Sequence, residues 1–223
     1  MKFRNIPLFF MWLCGILLIT GCFIRQTPAE EMYNKLEEVV QIEKAFEEQQ
    51  EPIVLLEREE KDLYEQMIKM NNEENYDEIV ELVNSALKIA EKRKEHIDIE
   101  RKSIEESKAA FSSVQEMMEK LDDAELKTKA AKLYELMQER YDVHGNLYKS
   151  YEDGLTYDTE LYHLLKEKNI EMKQLEMQVT KVNGAYEEVL KYNEIFNEKT
   201  KEYNEIKLDF YQTAGLNVQV NMD

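Results

Sequence analysis

Two cysteines, three prolines, six glycines, three histidines and one tryptophan are all that 223 residues contain. Each scarcity removes something. Cys14 lies inside an apolar N-terminal run, so Cys22 is the only cysteine outside it and no internal disulfide framework is available to the rest of the chain. Few glycines and prolines, with Glu and Lys dominant, fit long helices rather than a mixed α/β domain. No two of His96, His144 and His163 are four residues apart, so metal chemistry is not indicated. Glycine-rich phosphate loops, G-x-S-x-G elbows and H-E-x-x-H helices are absent, and no cofactor, metal or catalytic set is expected: the chain reads as a non-enzyme. Positive charge is also short. Formal net charge is −18, which argues against nucleic acid and against broad contact with anionic lipid.

What is present begins at the N-terminus. "MKFRN" supplies Lys2 and Arg4, "IPLFFMWLCGILLIT" is uncharged and apolar, and the run ends in Ile19-Thr20-Gly21-Cys22. A basic start, an apolar core and a small-residue ending are the layout of a secretory signal. The last four residues resemble the bacterial lipobox. That resemblance implies a signal peptide over residues 1–21, cleavage before Cys22 and diacylglyceryl (palmitate-type) lipidation of its thiol. An ordinary signal peptide and an uncleaved anchor are the alternatives. Two acyl chains give a stable membrane anchor where one does not. The expected location is the extracytoplasmic face of the cell membrane, with residues 22–29 as lipidated Cys and short tether. Loss of Lys2 and Arg4 leaves 27 bases against 47 acids, a net charge of −20.

From residue 30 to 216 the pattern predicts one all-α domain, a long antiparallel up-and-down helical bundle, followed by a tail at 217–223. Breaks are expected at "NNEEN" (71–75), at "LDDAE" (121–125) with Asp122 or Asp123 as N-cap, and more weakly at 166–171. They define helices at about 30–70, 74–120, 124–166 and 170–213, joined by loops short enough to make neighbours antiparallel. Gly145 and Gly154 leave open a three-helix form with a bent hairpin. Pro52 should kink or split the first helix. Heptads run throughout, as in Tyr76, Val83, Ala90, Ile97, Ile104, Phe111, Met118.

The same seams turn polar near their middles. Glu43, Gln50, Glu57 and Glu60 in the first helix, Arg93 and Glu100 in the second, Arg140 and His144 in the third, and Asn193 and Thr200 in the fourth occupy core positions. At 1.5 Å per residue along antiparallel helices, Glu43 to Glu57 and the polar positions of the other three helices fall roughly 20–40 Å above the base. Buried Arg and Glu can fix register and helix order. The other reading of this belt is a site for a small ligand or a divalent cation between helices. A tyrosine cluster at 141–162 offers Tyr148, Tyr151 and Tyr157 as glycan contacts, or as half-buried core-edge residues. "EKRK" at 91–94 reads as a solvated face.

Two stretches carry a wider resemblance: "EKAFEEQQEPIVLLEREEKDLY" and "NGAYEEVLKYNEIFNEKTKEYNEIKLDFYQTAGL". Their Q-Q-x-P and N-x-x-F-N-x-x-T-x-x-Y-N-x-x-K-x-x-F-Y elements resemble the YkyA family, Gram-positive lipoproteins to which cell-wall binding is ascribed. The matching residues are Glu43, Phe46, Gln49, Gln50, Pro52, Glu57, Asn193, Phe196, Asn197, Thr200, Tyr203, Asn204, Lys207 and Phe210. The resemblance implies an exported, membrane-tethered helical protein with peptidoglycan or an envelope protein as partner. An accessory subunit of a wall-synthesis or secretion complex is a further alternative. Since Gram-positive walls are anionic and this domain is acidic, wall contact is expected through neutral glycan or peptide groups or bridging divalent cations.

Overall fold

The computed structural model describes residues 26–70 and 74–216. The signal segment 1–21, Cys22, residues 23–25 of the tether and the tail 217–223 lie outside the described residues, as do residues 71–73 of the Asn-rich break. Among the described residues six helices form four rods: α1 (Pro28–Ile42) with α2 (Lys44–Met67), α3 (Tyr76–Phe111) with α4 (Val114–Glu119), α5 (Ala124–Leu165), and α6 (Met172–Thr213). The result is the four-rod antiparallel bundle, and the break between α5 and α6 is real.

Local chemistry sets the rod ends. Thr27 and Glu30 form a capping box: the Glu30 N–H donates to Thr27 Oγ1 at 3.2 Å and the Thr27 N–H to Glu30 Oε2 at 2.7 Å. Asp123 caps α5 by accepting from the N–H groups of Glu125 and Leu126 at 2.8 and 2.9 Å. The Tyr76 hydroxyl donates to the Lys166 carbonyl at 3.0 Å, tying the start of α3 to the end of α5.

Two breaks differ from expectation. Pro52 sits inside a continuous α2, and the interruption in the first rod comes earlier, at Glu43. One missing intrahelical bond is a local cost, and the packing of α2 along α3 carries the helix across it. At Glu43 a competing partner is available instead: Ser103 Oγ donates to the Ile42 carbonyl at 2.9 Å. The second rod is interrupted at Ser112 and Ser113, whose hydroxyls donate back to the carbonyls of Ala109 and Ala110. Gly145 and Gly154 leave α5 unbroken over 42 residues, so the bent-hairpin alternative does not apply.

Three apolar clusters run up the bundle. The largest lies at the base, where α1 starts, and includes Met32, Leu36, Val39, Phe111, Leu133, Met137 and Phe210. A middle cluster holds Ile53, Ala90, Ile97, Tyr151, Leu155 and Val189. A top cluster holds Met67, Ile79, Val83, Ala86 and Tyr162. The rods pack in sequence: the first on the second, the second on α5, α5 on α6. The remaining side, between the first rod and α6, closes only at the base. There Tyr33 and Tyr211 meet with ring centroids 4.8 Å apart, and the Tyr211 hydroxyl donates to Glu37 at 2.8 Å.

Candidate functional site

The polar core positions gather into two arginine clusters at different heights rather than one layer. In the lower cluster, Arg140 of α5 reaches across to Glu43 through two bonds, Nη1 to Oε1 at 2.9 Å and Nη2 to Oε2 at 2.8 Å. Such a two-pronged guanidinium–carboxylate pair is strong and directional. Arg140 Nε donates to Thr200 Oγ1 at 2.8 Å, and Ser107, hydrogen-bonded to Tyr141, donates to Glu43 at 2.5 Å. The guanidinium also lies over the Phe196 ring at 4.5 Å.

In the upper cluster, Arg93 of α3 is buried and bonds Glu60, with Asp158 and Glu57 each at 3.5 Å. It donates to the hydroxyls of Tyr151 (3.0 and 2.9 Å) and Tyr186 (2.8 Å). Those hydroxyls pass their own protons on, Tyr151 to Glu57 at 2.5 Å and Tyr186 to Asp158, while Tyr162 donates to Glu60 at 2.8 Å. α2, α3, α5 and α6 all contribute. Burial, with Glu60 alongside, pushes the Asp158 carboxyl up to about 6. Glu60 is a core position of the first seam as expected, whereas Asp158, Tyr162 and Tyr186 were not among the polar belt positions. Asp158 was findable: the α5 stripe through Met137, Arg140, His144 and Leu147 reaches Tyr151, Gly154 and Asp158 when continued in steps of three and four.

Between the clusters sit the other belt residues. The Gln50 amide donates to Glu100, which is half-buried and forms no ion pair among the described residues. Burial and the nearby Glu57 charge raise Glu100 to about 8. His144 is 2% exposed and lies between the rings of Phe46 and Phe196, at centroid distances of 5.7 and 5.6 Å. Its Nδ1 has no hydrogen-bond partner. Burial, then the charges of Arg101 and Arg140, lower its pKa to about 3, so the ring is neutral. Asn193 is exposed and accepts from Asn197.

These groups face a cleft. Above Phe46 and Phe196, α2 and α6 separate and leave a cavity of about 720 Å³ between them. Ile53, Val54 and Glu57 form one wall; Val182, Tyr186, Val189 and Leu190 form the other; Arg93, Glu100, His144 and Tyr151 lie on its floor. That volume is within the usual range of small-ligand sites. Val54 and Leu190 are 52% and 69% exposed, apolar surface that a closed bundle would have covered. Five carboxylates line the cleft, from Glu47, Glu57, Glu60, Glu100 and Asp158, against Arg93 and Lys61.

The three tyrosines read as glycan contacts do not form one platform. Tyr151 is buried with its hydroxyl engaged by Arg93 and Glu57, and Tyr148 bonds Lys94, Asp98 and Glu152. Tyr157 lies under Lys181 away from the cleft, and the carbonyl of Tyr157 accepts from Gln178. One Glu-x-x-His pair exists, Glu160 and His163, but Glu160 is taken by Gln178 and Lys181. Among the described residues no three His, Cys, Asp or Glu side chains are placed to hold a metal ion. Nor is any described helix long and apolar enough to cross a membrane.

A four-rod bundle with one unsealed side and a polar-floored cleft defines a class: an all-helical bundle protein with an open flank. A family model described as "Putative cell-wall binding lipoprotein", YkyA, matches residues 27–213. The chain is 36% identical over 203 residues to the uncharacterized lipoprotein YkyA of Bacillus subtilis (strain 168), covering 91% of this chain and 90% of that one. The chain belongs to the YkyA family. Its fold also matches the 1.6 Å crystal structure of a conserved protein of unknown function from Staphylococcus aureus, with a TM-score of 0.67 over 83% of this chain and 96% of the other at 15% identity.

Proposed function

We propose that this protein is a lipid-anchored binding protein of the envelope, fixed at Cys22 on the outer face of the cell membrane, which holds a cell-wall component in the cleft between α2 and α6. The observation that carries the reading is the open side itself. Apolar residues on both walls stay exposed although the same heptad pattern seals the base, and Arg93, Glu100 and His144 present polar atoms at the floor. The family description, which names binding and no reaction, supports the same direction. The strong negative charge argues against bulk attraction to an anionic wall, so contact is through shape and local chemistry in the cleft. With five residues between Cys22 and α1, the base of the bundle stands near the bilayer and the cleft faces the wall space above it.

Co-sedimentation with purified sacculi at low and moderate salt tests this, using the detergent-solubilised full-length protein. Saturable binding that survives moderate salt is expected, with a loss of at least tenfold in Leu190→Arg. Leu190 is exposed, so that variant should melt at an unchanged temperature. Undiminished binding by Leu190→Arg would remove the cleft from the account, and no binding by the wild type would remove the wall.

A further inference from the structure

The cleft holds more carboxylates than cations, and the shortfall is sharpest at one place. Glu100 of α3 is half-buried and, among the described residues, accepts from the uncharged Gln50 amide and forms no ion pair. Glu57 of α2 is close enough to repel it. Arg93, the nearest cation to Glu57 at 3.5 Å, is shared with Glu60 and Asp158. A carboxylate ligand would add to this excess and is disfavoured. A metal ion is disfavoured too, because no three ligating side chains converge among the described residues. A single protonated amine fits: it needs few donors, and its alkyl stem suits walls made by Ile53, Val54, Val189 and Leu190. A second, independent feature points the same way. His144 is 2% exposed, lines this cleft, and keeps an unpartnered Nδ1 in a neutral ring. A buried unpaired nitrogen is costly unless a bound group completes it, and a neutral imidazole suits an uncharged polar group such as an amide.

We propose that the cleft recognises a peptide carrying a primary alkylamine, with the ammonium between Glu57 and Glu100 and an uncharged backbone group against His144. This rests on the cleft-binding reading above and adds the class of ligand. Glu100 is already desolvated and holds its proton up to about pH 8, so an arriving ammonium would displace that proton to solvent and pair with the carboxylate that remains.

The test is calorimetric titration of the detergent-solubilised full-length protein with a lysine-containing, C-terminally amidated short peptide, and with the same peptide acetylated on the lysine Nε. The expected result is at least tenfold tighter binding of the amine form. Glu100→Gln keeps the shape, removes the group that can ionise against the ammonium and should abolish that preference. Equal affinity for the two peptides, or no binding of the amine peptide, overturns the proposal. Sacculi with native and with acetylated amines give the second arm. Preference for the native form supports it. Equal retention of both would sink the amine and leave wall binding standing. Peptide binding without sacculus binding would support the amine site and sink the wall reading.

Discussion

Below Phe46 and Phe196 the four rods close on one another; above them α2 and α6 part. The two halves share one heptad grammar. At the base, α6 presents Phe196, Tyr203, Phe210 and Tyr211, all buried and met by α1, α3 and α5. In the upper half the same helix buries little more than Gln178 and Val189, while Met172, Met177 and Leu190 are 65%, 58% and 69% exposed. Opposite it, α2 presents carboxylates at the level where an aliphatic side chain would have drawn α6 in. Closure of the fourth side is therefore decided by what faces α6, not by the periodicity of α6 itself. The base is where the large apolar payload is, and the cleft half is held by pairwise packing of α2 on α3 and α5 on α6, with Arg93 as the tie across all four.

The largest effect should come from cutting that tie. Arg93→Ala leaves Glu60 and Asp158, 3% and 6% exposed, without their cation, and a buried ion pair stripped of one partner costs about 3–5 kcal/mol. Arg140→Ala in the closed half leaves one carboxylate, Glu43, still bonded by Ser107, and should cost roughly 2–3 kcal/mol. Urea unfolding with an unchanged m-value reads the difference. The reverse order would mean that Glu60 and Asp158 share a proton once Arg93 is gone, and that the upper cluster is softer than its burial implies.

The rods themselves were legible in the sequence. Capping residues, heptads and the scarcity of Gly and Pro placed all four rods within three residues of their observed ends, because these signals are local. Pro52 misled because a proline reports a missing bond, while the break at Glu43 depends on Ser103, sixty residues away. Arg93 and Arg140 could be placed at core positions from spacing, but their partners could not: the Glu60–Asp158–Tyr186 set depends on which rods touch and on rotamers that reach across the core. The cleft was not readable at all. A heptad seam specifies that a face wants cover, and whether it gets it is a matter of how far α2 and α6 diverge.

A smaller effect separates the cleft floor from the sealed base by pH. Glu100 has its native pKa raised to about 8 by burial and the nearby Glu57. Between its ordinary value and 8 the native state holds more protons than the unfolded chain, so its contribution to stability is full at low pH and is lost as pH rises through 8. His144 runs the other way: with its native value lowered to about 3, its contribution is present above its ordinary value of 6.5 and is lost as pH falls. The interval from pH 6.5 to 8 therefore isolates Glu100. Wild-type stability should decline across it, and Glu100→Gln should flatten the slope and gain roughly 1–3 kcal/mol at pH 8. Parallel pH profiles for the two proteins would show that Glu100 is solvated and ionised throughout, which would weaken the case for a missing cation.

The finest comparison uses two glycines facing different surroundings. A Cβ added at Gly184 on α6 meets nothing within 4 Å, so Gly184→Ala should gain roughly 0.5–1 kcal/mol from helix propensity alone. A Cβ at Gly154 on α5 would come within 3.1 Å of Tyr186 Cζ. Tyr186 is pinned by its bonds with Arg93 and Asp158, so the ring cannot yield without disturbing the upper cluster. The same propensity gain is then offset by overpacking, and Gly154→Ala should lose about 1 kcal/mol net. Thermal melts of the two single variants give opposite signs if the Tyr186 wall of the cleft is rigid. Stabilisation by both would mean that Tyr186 moves aside at little cost, so that the cleft adjusts its width to what enters it instead of presenting a fixed wall.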